Sequence, residues 1–100
     1  MVKNWFTSRR RNFQLLRDIA NQIGKEYERM PYDVLADPSQ PISCEREVEG
    51  LLVSWTADVI RKKENGDIDF NIDVHAALPT LLGIKPAYRF WKRRDESIYY

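Results

Sequence analysis

Two carboxylates and one imidazole near the middle of the chain have the chemistry that a metal site or a general base requires. Asp58, Asp73 and His75 supply oxygen and nitrogen ligands of the kind that hold a divalent cation. Asp73 or His75 would act as a general base only in a dry, concave setting that shifts its pKa. Their spacing matches no metal-binding motif, and a lone histidine beside carboxylates is more often a surface group. We therefore expect no metal, no cofactor and no catalytic residue here.

These three residues belong to a larger acidic face of an expected antiparallel sheet. Asn65-Gly66 predicts a two-residue turn. Counting outward from this turn sets Asp58 opposite Asp73, a like-charge pair that costs about 0.2–1 kcal/mol. The same count sets Lys62 opposite Asp69. The acidic face comprises Glu45, Glu47, Asp58, Asp69, Asp73 and His75. A solvated surface is the favoured interpretation, because surface charges contribute little to stability; the alternative is a docking surface for a basic partner.

Two basic clusters offer a different chemistry, the binding of anions. Arg9, Arg10 and Arg11 lie at the expected N-terminus of a helix, where each cation opposes the helix dipole by about 0.3–1 kcal/mol. Guanidinium groups beside unpaired backbone N–H groups can hold a phosphate, although a solvated basic end is the favoured interpretation. The second cluster is Lys92, Arg93 and Arg94. Nucleic-acid binding requires the two clusters to converge on one side of the molecule.

Aromatic residues accompany the second basic cluster. Phe90 and Trp91 are adjacent in sequence, so in a strand they face opposite ways and only one of them belongs to the core. The ring left outside, with Arg89 and Arg93 on its face, is a candidate contact for a partner. The alternative interpretation is a sheet edge that basic side chains protect from further pairing.

The single cysteine and the few glycines exclude several classes of site. We expect Cys44 on the inward face of the sheet opposite Trp55, as a small buried hydrophobe rather than a nucleophile. One cysteine forms neither an intrachain disulfide nor a multi-cysteine zinc module. Because there are four glycines in all and no Gly-rich loop follows a strand, we expect no phosphate-binding loop.

Size and charge limit the function classes further. The chain has 100 residues and a mass of 11.9 kDa, the size of one domain. Its net charge of +1 excludes a polycation that holds nucleic acid or an anionic membrane by its overall field. No apolar run is long enough to span a bilayer, and residues 1–12 lack the apolar segment of a secretory signal. We expect a cytoplasmic protein of one domain.

The first third of the chain has the pattern of a long amphipathic helix. Apolar residues recur every three or four positions, which is the period of one helix face. They are Phe13, Leu16, Ile19, Ala20, Ile23, Tyr27 and Met30. Ser8 or Thr7 is a suitable N-cap and Pro31 sets the end, which predicts a helix from about Ser8 to Met30. Gly24 weakens this helix by about 1 kcal/mol relative to alanine.

The remainder of the chain predicts an antiparallel meander. Apolar and polar residues alternate from Ile42 onward, and turns at Glu49-Gly50 and Asn65-Gly66 divide this region into three strands. A short helical crossing is expected between Ala76 and Gly83. A strand from Ala87 to Lys92 and a short C-terminal return strand follow it.

Helix and meander together predict a two-layer α+β domain. The long N-terminal helix packs on a curled antiparallel sheet of four to five strands, against the face lined by Val53, Trp55, Val59, Phe70, Ile72 and Val74. This shape resembles cystatin-like and nuclear-transport-factor-like architectures, in shape alone. The assignment depends on parity: odd-numbered residues before the Asn65-Gly66 turn and even-numbered residues after it face the same interior.

The expected function is that of a non-enzymatic protein-interaction module, which uses the acidic face or the aromatic and basic C-terminal hairpin. The first alternative is a ligand-binding or enzymatic pocket between helix and sheet, touched by Tyr27, Trp55 and Tyr88. The second is nucleic-acid binding through both basic clusters. The space between helix and sheet discriminates between the first two: a sealed core favours interaction, and a cavity lined by tyrosine hydroxyls and a carboxylate favours a ligand.

Overall fold

The protein is one long helix packed on an open five-stranded antiparallel sheet, as predicted. The computed structural model describes residues 2–37, 43–78 and 85–100, with side chains from residue 7 onward. The sheet order is β1-β2-β3-β4-β5, so each strand pairs with its sequence neighbour. The elements are α1 (Val2–Glu28), α2 (Tyr32–Ala36), β1 (Ser43–Val48), β2 (Leu51–Lys62), β3 (Ile68–Ala76), β4 (Ala87–Lys92) and β5 (Ile98–Tyr99). The helical crossing expected from Ala76 to Gly83 is wrong in its described part, because Ala76 is the last residue of β3 and neither Ala77 nor Leu78 is helical. Pro79 to Gly83 and the first predicted strand residue, Ile42, lie outside the described residues.

Helix α1 buries the apolar stripe that the sequence predicts. Leu16, Ile19, Ala20 and Ile23 are all buried, and the flanking apolar residues of the stripe are half-buried. The predicted start at Ser8 is wrong, because α1 begins at Val2. Residues 2–7 contain neither glycine nor proline, so nothing in their sequence ends the helix. None of the helices in the described part of the chain is both long and apolar enough to cross a membrane.

The earlier start of α1 changes the setting of the first basic cluster. Arg9, Arg10 and Arg11 lie two to three turns inside the helix, not at its N-terminus. The dipole effect falls off within the first turn, and backbone N–H groups at these positions are engaged within the helix. The expected combination of guanidinium groups with unpaired N–H groups is therefore wrong.

Gly24 has a packing role that its low helix propensity conceals. A Cβ atom at this position would overlap the ring of Tyr88 on β4. The glycine lets the helix approach the sheet closely. The helix therefore tolerates a residue of low helix propensity because only glycine leaves room for the Tyr88 ring.

The connection between β2 and β3 is longer than predicted. Residues 63–67 form the loop, closed by hydrogen bonds from Lys63 N to Asp67 O at 2.8 Å and from Gly66 N to Lys63 O at 2.9 Å. A β-bulge at Ile60, between Val59 and Arg61, lies in β2 just before this loop. The two-residue turn is therefore wrong, although Gly66 does adopt a positive φ of 98°.

Despite the longer loop, the two faces of the sheet keep the predicted parity. Val59 lies opposite Phe70, where the count from the short turn predicted Ile72. A shift of two residues leaves the β2 side chains up to Val59 on the predicted face, whereas beyond the bulge Arg61 and Lys62 exchange faces. Val53, Trp55 and Ala57 are accordingly buried together with Phe70, Ile72 and Val74. Ile60 is 51% exposed, as the parity requires.

The helix does not cover the inner face of the sheet evenly. Helix α1 packs on β3 and β4. Among the described residues, the C-terminal end of α1 and the short helix α2 lie over the inner side of β1 and β2, where Tyr27 bonds to Trp55 and Leu35 lines a space above Ala57 and Val59. This uneven cover leaves space over β2.

Candidate functional sites

The acidic face lacks the arrangement that a metal site needs. Asp58 lies opposite Asn71, and Asp73 lies opposite Thr56, so the predicted Asp58–Asp73 opposition is wrong. His75 pairs with Ser54 across the strands. The described residues contain no group of three His, Cys, Asp or Glu side chains that could hold a metal ion.

The carboxylates of the acidic face are engaged locally or exposed singly. Asp58 Oδ1 accepts the backbone N–H of Val59 at 2.8 Å, and Asp73 Oδ2 accepts the amide of Asn71 at 3.1 Å. Glu45 and Glu47 are exposed on the outer side of the edge strand β1. This part of the sheet has the geometry of a solvated acidic surface.

Asp69, which we expected among these exposed carboxylates, is buried. Its exposed fraction is 1%. Arg89 donates to it at 3.2 Å and 2.5 Å, and Arg61 donates twice at 3.3 Å. Hydrogen bonds from Arg89, supported by Arg61, hold the pKa of the Asp69 carboxyl below its ordinary value. The bulge at Ile60 brings Arg61 opposite Asp69, where a regular ladder predicted Lys62.

The two arginines extend into a cluster of cations and aromatic rings on the outer side of β4 and β5. Phe90 is in the core at 1% exposure, and Trp91 faces outward. Trp91 stacks on Tyr99 with ring centroids 5.8 Å apart and planes 4° from parallel. We call this cluster the basic–aromatic face; its members are Arg61, Lys63, Arg89, Trp91, Arg93 and Tyr99.

Cations lie close to both rings of the stacked pair. Lys63 Nζ lies 4.5 Å from the centre of the Trp91 ring, and Arg61 lies 5.2 Å from it. Arg93 lies 4.4 Å from the centre of the Tyr99 ring. The sequence pointed to Arg89, Trp91 and Arg93 but missed Arg61 and Lys63, because the bulge and the loop that bring them here have no signature in the pattern.

A cavity of about 470 Å³ lies between the C-terminal end of α1, helix α2 and the inner side of β1–β3. Its described lining is mostly apolar: Tyr27, Met30, Val34, Leu35, Ala36, Asp37, Cys44, Ala57, Asp58, Val59, Lys62, Ile68 and Phe70. Lys62 reaches the inner side because the bulge reverses the alternation after Val59. The space between helix and sheet is therefore not sealed.

Besides the charged residues Asp37, Asp58 and Lys62, the polar groups of the described lining are a phenol and a thiol. Tyr27 Oη accepts the indole N–H of Trp55 at 3.0 Å and lies 4.0 Å from Cys44 Sγ. Burial raises the pKa of the Tyr27 hydroxyl, so this group remains a hydrogen-bond donor at neutral pH. Cys44 pairs with Trp55 as predicted, but it is only half-buried.

Of the three residues predicted to touch the pocket, Tyr27 lines the cavity, whereas Trp55 and Tyr88 are not among its described lining residues. Tyr88 lies in a different cluster. Its hydroxyl donates to Glu28, which also accepts from Tyr100 at 2.6 Å and pairs with Lys25 at 3.3 Å. Burial raises the pKa of Glu28, but the hydrogen bonds from Tyr100, Tyr88 and Lys25 outweigh it and leave that pKa below its ordinary value. This cluster fastens the C-terminal residues of the chain to α1.

The two basic clusters lie far apart. Lys92 is 3% exposed, and its Nζ donates to the backbone oxygen of Glu28 at 2.9 Å, at the C-terminal end of α1. Arg9 precedes Glu28 on the same helix by roughly 28 Å, at 1.5 Å per residue. Lys92 therefore belongs to the packed interior and not to a basic surface. The convergence that the nucleic-acid hypothesis required is absent.

Comparison of the chain with protein-family models, with curated proteins and with solved structures finds no match in any of the three.

Proposed function

We propose that this protein binds a small, largely apolar molecule in the cavity beside α2. The observation that supports this proposal is the cavity volume of about 470 Å³. Ligand sites in proteins are concave, mostly apolar and about 300–1,000 Å³ in volume. A protein whose helix only seals a core has no need of such a space, because interiors are otherwise close-packed.

The lining indicates the chemistry of the ligand. The walls are aliphatic, aromatic and sulfur-containing side chains from both layers, such as Met30, Val59 and Phe70. The Tyr27 oxygen accepts a hydrogen bond from the indole N–H of Trp55. Its own O–H lies 4.0 Å from Cys44 Sγ, a weak acceptor, and an acceptor atom of the ligand would replace that contact. The charged lining residues include Lys62, which is exposed and makes no ion pair within the described chain. The proposed ligand therefore has an apolar body and a hydrogen-bond acceptor that reaches Tyr27. Any charged group of the ligand would lie toward the solvent, near Lys62.

Binding fits this lining better than catalysis. A buried phenol with a raised pKa donates a hydrogen bond but does not act as a base at neutral pH. The free, half-buried thiol of Cys44 suits a reducing compartment, and a cytoplasmic location is part of this proposal.

The test fills the cavity and measures the binding of 1-anilinonaphthalene-8-sulfonate, a fluorescent probe with an apolar aromatic body and one anionic sulfonate. Val59→Phe places a larger side chain inside the cavity. The control is Ile60→Phe, which also introduces a phenylalanine. Ile60 does not line the cavity, and its side chain is already 51% exposed. We expect the parent and Ile60→Phe to bind the probe with similar affinity. The affinity of Val59→Phe should be lower by about tenfold or more.

Each variant is first shown to unfold in one cooperative transition, because a loosened protein also binds this probe. Met30→Phe, which fills the cavity from the helix side, provides a second variant. Absence of binding by the parent, or equal binding by the parent and both filled variants, would exclude the cavity as a ligand site.

A further inference from the structure

The basic–aromatic face carries more positive charge than its own carboxylates neutralise. It holds four cations, Arg61, Lys63, Arg89 and Arg93. Of these, Arg61 and Arg89 share one buried carboxylate, that of Asp69. Lys63 and Arg93 form no salt bridge in the part of the chain that the structure describes.

The two cations that form no salt bridge among the described residues are held in place by the rings. Lys63 Nζ donates to the Tyr99 hydroxyl at 3.2 Å, and that hydroxyl donates to Asp67 at 2.8 Å. The guanidinium carbon of Arg93 lies 4.4 Å from the centre of the Tyr99 ring. Cations fixed in this way lose little side-chain entropy when a partner binds, so their N–H donors are ready for an anion.

We infer that the basic–aromatic face binds a short acidic segment of a partner protein. Lys63, Arg89 and Arg93 can donate charge-assisted hydrogen bonds to carboxylate side chains of such a segment. The acidic neighbours on the same sheet, Asp58 and Asp73, limit the length of the segment, because they repel an anionic chain that runs past β3.

A nucleic acid fits this face less well. Single-stranded nucleic acid gains about 1–3 kcal/mol for each base that stacks on an aromatic ring. Here Tyr99 and Lys63 cover Trp91, and Arg93 covers Tyr99, so a base would first have to displace these contacts. Carboxylates need only the cations and leave the stack intact.

The experiment measures the binding of a fluorescein-labelled peptide of ten glutamates by fluorescence anisotropy at low and moderate salt. The test variant is Lys63→Glu/Arg93→Glu. The matched control is Arg10→Glu/Arg17→Glu, which changes the net charge equally at two exposed positions of α1. We expect the test variant to weaken binding by about tenfold or more and the control by about twofold or less. Affinity for the parent should fall as salt rises.

A second ligand, an oligomer of ten thymidines, separates the two classes of partner. Tighter binding of the oligonucleotide than of the peptide would overturn the acidic-segment proposal in favour of a nucleic acid. Absence of peptide binding, or equal losses in the test variant and the control, would also overturn it. Val59→Phe should leave peptide binding unchanged, since the cavity lies on the opposite side of the sheet.

Discussion

At the scale of single residues, burial depends on the partners that the fold supplies. Asp69 belongs by parity to the outer side of the sheet, yet it is among the most buried side chains. Arg61 and Arg89, from the strands on either side, cover it and satisfy its oxygens. Both arginines keep more than half of their side-chain surface exposed, so Asp69 is buried beneath charged groups that are themselves in water.

Asp69→Asn tests the contribution of this arrangement to stability. The amide keeps the shape of the carboxylate but removes the charge that both arginines contact. We expect the free energy of unfolding in urea to fall by about 1–3 kcal/mol, the range for hydrogen bonds to charged groups. The control is Asp73→Asn, at a carboxylate whose side-chain hydrogen-bond partner among the described residues is Asn71, and its cost should stay within about 0.5 kcal/mol. Equal costs would contradict the role of the arginines.

The pH dependence of the unfolding free energy of the parent and of Asp69→Asn gives a further prediction. The Asp69 pKa is lowered in the folded state, so its contribution is complete above the unfolded pKa of about 3.9 and is lost as pH falls toward the folded pKa. The stability difference between the parent and Asp69→Asn should therefore be constant near neutral pH and shrink at acid pH. Unfolding curves from pH 7 down to the lowest pH at which both proteins fold measure it. A difference that grows with acidity would contradict the lowered pKa.

At the scale of elements, the sequence predicts faces better than it predicts register. Helix α1 and strands β1 to β3 keep their predicted faces because apolar periodicity follows burial directly. The five-residue loop at 63–67 and the bulge at Ile60 depend on hydrogen bonds that no periodicity records. Since the loop and the bulge each shifted the register by one residue, the predicted faces survived up to Val59 while the opposed pairs changed.

Gly24 and Tyr88 provide a prediction at this scale. In the parent, Gly24→Ala should destabilise the protein, because the new methyl group overlaps a ring that Glu28 and Tyr100 hold in place. In a Tyr88→Ala background, the same change should stabilise the protein by up to about 1 kcal/mol through helix propensity. Urea unfolding of the four proteins measures the reversal of sign. Stabilisation in both backgrounds would show that the ring does not require the glycine.

At the scale of the whole molecule, the candidate sites arise from what separate elements leave uncovered or bring together. The cavity exists because α1 lies over β3 and β4 while the inner side of β2 is covered only in part. The basic–aromatic face combines Arg61 and Lys63 from one hairpin with Trp91 and Tyr99 from another. The sequence identifies residues such as Trp91 as outward-facing, but distances between hairpins and empty volumes are properties of the assembled layers.

Lys92 offers the last test, because it connects three parts of the fold. Its ammonium donates a hydrogen bond to the backbone carbonyl oxygen of Glu28, the last residue of α1, at 2.9 Å. It also forms a salt bridge with Glu96 at 3.5 Å. Glu96 in turn accepts the backbone N–H of Tyr32 at the start of α2, at 2.9 Å. Lys92→Met keeps the apolar stem and removes the charge, leaving the carbonyl without this donor and the carboxylate without this cation. We expect a loss of about 1–3 kcal/mol in urea unfolding, against about 0.5 kcal/mol or less for Lys85→Met at an exposed position. If the two substitutions cost the same, the ends of α1, α2 and the β4–β5 turn are held together by packing alone, and the cation is incidental.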